Sequence, residues 1–125
     1  MRRFLVLVVL LSACSSSATA VVDMVGASQA DRLVGDSAAV LDIRTPEEFA
    51  EGHIEGAINI DFYAADFADR IGALDPEAVY LVYCRSGNRS GQAIDLFRDL
   101  GFVEVHEIEG GILTWVGEGL PLVGG

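Results

Sequence analysis

Short apolar runs alternate with stretches of helical spacing along residues 21–125, and this alternation predicts strands separated by helices. Residues 21–25 read as a first strand, and a helix opens near Ser28 and closes around Gly35. Residues 39–43 are almost continuously apolar, the pattern of a strand buried on both faces. Thr45, Pro46, Glu47 and Glu48 then mark a helix start, with a capping threonine, a proline in the first turn and acids behind it. A short strand is expected over 57–60. Phe62, Phe67, Ile71 and Leu74 give a helical spacing over 62–74. The clearest strand covers 79–83, followed by a helix over 90–100 that stops at Gly101. Residues 103–108 alternate as a last strand, and 112–116 suggest a final short helix. The expected fold is α/β, a mostly parallel central sheet with helices on both faces. No internal repeat or low-complexity segment interrupts it.

The first residues follow a different pattern. Arg2 and Arg3 precede an unbroken apolar stretch over 4–11, too short to span a bilayer but suited to the core of an export signal. Leu11-Ser12-Ala13-Cys14 follows, and it resembles the lipobox of bacterial lipoproteins. That resemblance implies a signal peptide over 1–13, removed before Cys14, and acylation of Cys14 by more than one chain, enough for stable anchoring. An ordinary signal cut after Ala18 or Ala20 is the alternative. Residues 14–20 would be a small, polar tether, reaching about 20 Å at most from the membrane, and 21–125 the folded domain. The expected location is exported, on the periplasmic or extracytoplasmic face of an envelope membrane.

Composition narrows the function. With 125 residues, 51% of them hydrophobic, the chain holds one domain with a real core. Nineteen acids face eight basic residues, all arginine, which leaves no basic stripe for a nucleic-acid partner. His53 and His106 lie far apart, and with one loop cysteine they make no metal-ligand spacing. Neither a metal nor a cofactor is expected.

The chemistry concentrates in Cys84-Arg85-Ser86-Gly87-Asn88-Arg89-Ser90. A cysteine ends an apolar strand, and a short polar loop then leads into a helix. Loop amides and the helix N-terminus favour an anion at one point, so the thiol there should ionise readily. Gly87 supplies a backbone that can take positive φ and curl around the sulfur. Arg85 and Arg89 add permanent positive charge. A buried structural cysteine beside a solvated turn would not explain two arginines and a glycine next to it.

Four stretches together resemble the single-domain rhodaneses, a sulfurtransferase family. They are Leu41-Asp42-Ile43-Arg44-Thr45-Pro46-Glu47-Glu48-Phe49, Gly52-His53-Ile54-Glu55-Gly56-Ala57-Ile58-Asn59-Ile60, the loop from Cys84 to Ser90, and Gly110-Gly111-Ile112 with Trp115 and Gly119-Leu120-Pro121-Leu122. Glu55 stands where the family commonly has proline, and Thr114 where alanine is more usual. The resemblance implies the family's three-layer fold. It also implies that Cys84 takes sulfane sulfur from a donor such as thiosulfate and passes it, as a persulfide, to cyanide or a thiol, including a thiol on another protein. Arg85, Ser86, Gly87, Asn88, Arg89 and Ser90 would bind the donor and the anionic sulfur, with Arg85 and Arg89 holding the donor and Ser90 capping the helix. Four residues separate Cys84 from Arg89. The related phosphatases and arsenate reductases have one more, a wider cradle for a tetrahedral oxyanion, so the tighter loop favours sulfur.

Asp42, Arg44, Glu48 and His53 read as structural parts of the motifs. Arg44 is expected to pair with Glu47 or Glu48, and His53 to be a satisfied structural histidine. His106 is expected to face solvent and Trp115 to pack in the core. The alternative to an enzyme is a module that carries or senses persulfide, or binds a protein at the envelope, without useful turnover.

Overall fold

The computed structural model describes residues 19–125. The signal peptide, Cys14 and most of the tether expected from the sequence lie outside the described residues. Five strands and five helices alternate: β1 (Val21–Val25), α1 (Ala27–Gly35), β2 (Ala39–Asp42), α2 (Pro46–Ala50), β3 (Ile58–Asn59), α3 (Phe67–Gly72), β4 (Val79–Tyr83), α4 (Asn88–Asp99), β5 (Glu104–Ile108) and α5 (Gly111–Gly117). The strands form one parallel sheet in the order β1-β5-β4-β2-β3.

The two-residue side-chain period of β4 divides the core. Tyr80 and Val82, with Cys84 just beyond the strand, join Phe67, Ile71, Ala93 and Phe97 of α3 and α4 on one face. Leu81 and Tyr83 join Ala30 of α1 and Ile112 and Trp115 of α5 on the other. Trp115 is core, with its indole N–H donating to Pro121 O at 2.9 Å. Helices thus cover both faces, the three-layer arrangement expected. In this order the chain leaves β2 toward β3 and leaves β4 toward β5, in opposite directions. Such a switch point opens a crevice at the C-terminal ends of two neighbouring strands. The loops after β2 and β4 meet there.

Local sequence explains the β2 side of that crevice. Thr45 caps α2: its Oγ1 accepts the Glu48 N–H at 3.3 Å, and the Glu48 carboxylate reaches back to the Thr45 N–H at 3.4 Å. Pro46 occupies the first turn, where its missing N–H costs nothing.

Two expectations are corrected here. The helix expected over 62–74 begins only at Phe67, because Asp61 accepts the N–H of Tyr63 at 2.9 Å and ties residues 61–66 into turns. Arg44 pairs with neither Glu47 nor Glu48. It doubles back onto Asp42 (Nη2–Oδ2 2.7 Å) and donates to Gly52 O at 2.7 Å, while the Tyr83 hydroxyl donates to Asp42 Oδ2 at 2.7 Å. Asp42 and Arg44 are both buried, so each needs the other's charge. Strand alternation turns Asp42 toward Tyr83 and away from α2.

Candidate active site

Cys84 is carried off the end of β4 into the loop before α4. It is 1% exposed, at the floor of the crevice. Gly87 has φ +98°, a left-handed conformation that reverses the chain over the sulfur. The Gly87 N–H donates to Cys84 Sγ at 3.1 Å, and Ser90 Oγ lies 3.5 Å from it. Burial pushes the thiol's pKa up, but hydrogen bonds from the Ser90 hydroxyl and from the Ser90, Gly87 and Ser86 amides outweigh it. The net effect is a lowered pKa.

The amides point inward because α5 holds the carbonyls outward. Ile112 N–H donates to Cys84 O at 2.9 Å, and Leu113 N–H donates to Arg85 O at 3.2 Å. Each peptide unit carries its C=O and N–H on opposite sides. The unit whose carbonyl meets Leu113 therefore turns the Ser86 N–H toward the sulfur. This packing leaves no room at Gly111, where an added Cβ would sit 2.5 Å from Cys84 O and 2.6 Å from Arg85 O. In the sequence, Gly110-Gly111-Ile112 was legible only as a motif. The structure places it directly behind the loop.

The mouth is an open pocket of about 410 Å³, lined by Glu48, Tyr63, Arg85, Ser86, Asn88, Arg89 and Gln92. Four of the six loop residues after Cys84 line this mouth, while Gly87 and Ser90 meet the sulfur from within, and their engagements differ. Arg89 is already taken: it bonds Glu48 through both terminal nitrogens, at 2.7 and 2.9 Å, and lies over the Tyr63 ring. Those bonds are the main reason Glu48 is held down to a pKa of about 2. Arg85 is exposed and, among the described residues, has no carboxylate partner. Asn88 accepts from Gln92 at 2.6 Å at the rim.

Ser90 does not cap α4. Gly87 is the capping residue, so Ser90 falls three residues in, buried beneath the loop with its hydroxyl facing the sulfur. His53 is half-buried; its Nδ1 lies 2.9 Å from Phe49 O, and its ring stacks on Phe49 at 3.7 Å, so its bonding serves α2 and not the loop. His106 does not face solvent. It is 5% exposed and bonded to Asp23 and to Glu104 (2.8 Å), because β5 lies between β1 and β4. Burial works against its charge, but the two carboxylates raise its pKa.

Glu107 is a further residue of the site, beyond those the sequence motifs indicate. It is 5% exposed on β5, with Oε1 accepting from Ser90 Oγ at 2.9 Å. Strand alternation sets Glu107 on the face of Val103 and Val105, so an acid at an inward-facing position is the signal that the sequence does carry.

Known proteins resemble this chain in sequence and fold. Residues 26–118 match the Rhodanese-like domain family model. Over 87 residues the chain is 41% identical to the thiosulfate sulfurtransferase GlpE of Pseudomonas aeruginosa (strain LESB58), covering 70% of this chain and 77% of that protein. A sulfurtransferase of Allochromatium vinosum is 36% identical over 84 residues, 67% of this chain and 77% of the relative. Among solved structures, a rhodanese-related protein from Thermoplasma volcanium superposes with a TM-score of 0.74 at 31% identity, covering 82% of this chain and 99% of the other.

Proposed function

Because this chain belongs to the rhodanese-like family, we propose that it is a thiosulfate sulfurtransferase working through a Cys84 persulfide. The observation that carries the reading is the Cys84 sulfur, buried but held by inward-turned amides that lower its pKa. The thiolate attacks the outer sulfur of thiosulfate. A Cys84–sulfur bond forms, the sulfur–sulfur bond of the donor breaks, and sulfite leaves with the electron pair. One negative charge remains, now on the terminal persulfide sulfur, and the loop amides stabilise it without reorganising. Cyanide or a thiolate then attacks that terminal sulfur and releases the Cys84 thiolate. Arg85 meets the dianionic donor at the mouth, while Arg89, fixed by Glu48, keeps its charge beside the loop. The four-residue spacing between Cys84 and Arg89 suits one sulfur atom.

Steady-state rates with thiosulfate and cyanide test this. A sulfur-substituted intermediate gives parallel double-reciprocal lines as the second substrate is varied. The chain's net charge of −11 repels the dianion, so kcat/KM for thiosulfate should rise several-fold as salt increases from low ionic strength. Intersecting lines would contradict the persulfide. A rate insensitive to salt would place the approach of donor under local charge alone.

A further inference from the structure

Behind the reactive sulfur lies a second titratable group that the sulfur-transfer steps leave unused. Ser90 Oγ carries one proton and has three acceptors in reach: Glu107 Oε1 at 2.9 Å, Gly87 O at 3.4 Å and Cys84 Sγ at 3.5 Å. One proton cannot serve both the carboxylate and the sulfur. If Glu107 is ionised, the Ser90 hydroxyl turns to it, and the thiolate loses a donor while facing a buried negative charge. If Glu107 is protonated, its own O–H donates to Ser90 Oγ, and the Ser90 hydroxyl is free to donate to Sγ. We propose that Glu107 is a positioning residue for the nucleophile, sharing one proton with Cys84 through the Ser90 hydroxyl. The thiol proton passes to Ser90 Oγ as the Ser90 proton passes to the Glu107 carboxylate. A thiol and a carboxylate thereby become a thiolate and a carboxylic acid, with no change in net charge.

The surroundings favour this exchange. Burial pushes the Glu107 carboxyl up, against the hydrogen bond from Ser90; burial also acts on Cys84, but the Ser90 hydroxyl and then the loop amides bring it down. The two groups therefore approach each other in proton affinity. The other charged groups near Glu107 are Asp23 of β1 and Arg98 of α4, which line the same open pocket of about 440 Å³ with Gly87, Gly91 and Ile94. Asp23 is bonded to His106 and Arg98 to Asp95, so each already has a partner. That pocket opens on the β1 side of the loop, apart from the mouth with Arg85, and lets the carboxyl exchange its proton with water.

The inference rests on Cys84 being the nucleophile, and its test needs no sulfur donor. Iodoacetamide reacts with the thiolate alone, so its rate against pH, followed on the peptide that contains Cys84, reads that residue directly. In Glu107→Gln the buried negative charge behind Ser90 is gone, whichever way the amide turns, and the inflection should fall by about one pH unit or more. In Ser90→Ala the link is cut, and the inflection should rise. Coupling is reciprocal, so in Cys84→Ser the Glu107 carboxyl, followed by carbon-13 NMR, should titrate at lower pH than in the parent. A Glu107→Gln profile that overlays the parent overturns the proposal. Should that variant not fold, a Glu107 titration unmoved in Cys84→Ser overturns it equally. Failure of thiosulfate turnover with the coupling intact would count against the donor and leave this inference standing.

Discussion

Cys84→Ser should keep the fold and lose sulfur transfer, by at least about 10³-fold, the scale on which removal of a covalent nucleophile acts. Serine fits the same space, and its oxygen can accept the Gly87 N–H that now meets the sulfur at 3.1 Å. The core beneath the loop, formed by Val82, Ala93 and Phe97 around this position, is therefore undisturbed, and the thermal midpoint should stay within a few degrees. What is lost is the chemistry. A hydroxyl does not ionise in this pH range as a thiol does, and oxygen cannot form the sulfur–sulfur bond on which the cycle turns. Retention of more than about a hundredth of parental thiosulfate–cyanide turnover would mean that some other group carries the sulfur.

Gly111→Ala should cost both activity and stability, although residue 111 touches no substrate. Its φ is +63°, a region that costs an alanine about 1–2 kcal/mol. Its added Cβ would also stand 2.5 Å from Cys84 O and 2.6 Å from Arg85 O, both backbone atoms that cannot swing aside. The start of α5 must then retreat, and the bonds from Ile112 and Leu113 to those carbonyls break. Freed of them, the peptide units that aim N–H groups at the sulfur can turn. Loss of one preorganised donor costs about 10²–10³-fold in rate, so turnover should fall by at least about 10²-fold. Together with the broken bonds, the strain should lower stability by about 2–4 kcal/mol. Gly117→Ala is the control, since an added Cβ there meets nothing within 4 Å. It should leave both readings near the parent. An active Gly111→Ala would show that the loop holds its shape without α5.

Much of this site is legible in local sequence. The run into Cys84, the glycine three residues on and the capping Thr45 are local signals, each set by neighbours within a few positions. The engagements that decide charge are not local. Arg44 could be assigned to Glu47 or Glu48 only by proximity in sequence, and strand alternation turned its true partner, Asp42, toward Tyr83. Arg89 looked free for a donor because Glu48 is 41 residues away. Polar alternation marks a strand with one wet face and so exposes His106, whereas β5 is flanked by β1 and β4 and covered on both. Glu107 falls on the opposite face, beside Val103 and Val105, where only the contact with α4 gives the acid a partner. Each then finds a partner remote in sequence, Asp23 for one and Ser90 for the other.

The persulfide itself is the most direct test. The mass of the intact domain, measured before and after incubation with thiosulfate, should increase by one sulfur atom per chain. That gain should be absent in Cys84→Ser and should be removed by cyanide with release of thiocyanate. A folded, reduced domain that gains no sulfur from thiosulfate, or from a low-molecular-weight persulfide offered in its place, would contradict the account.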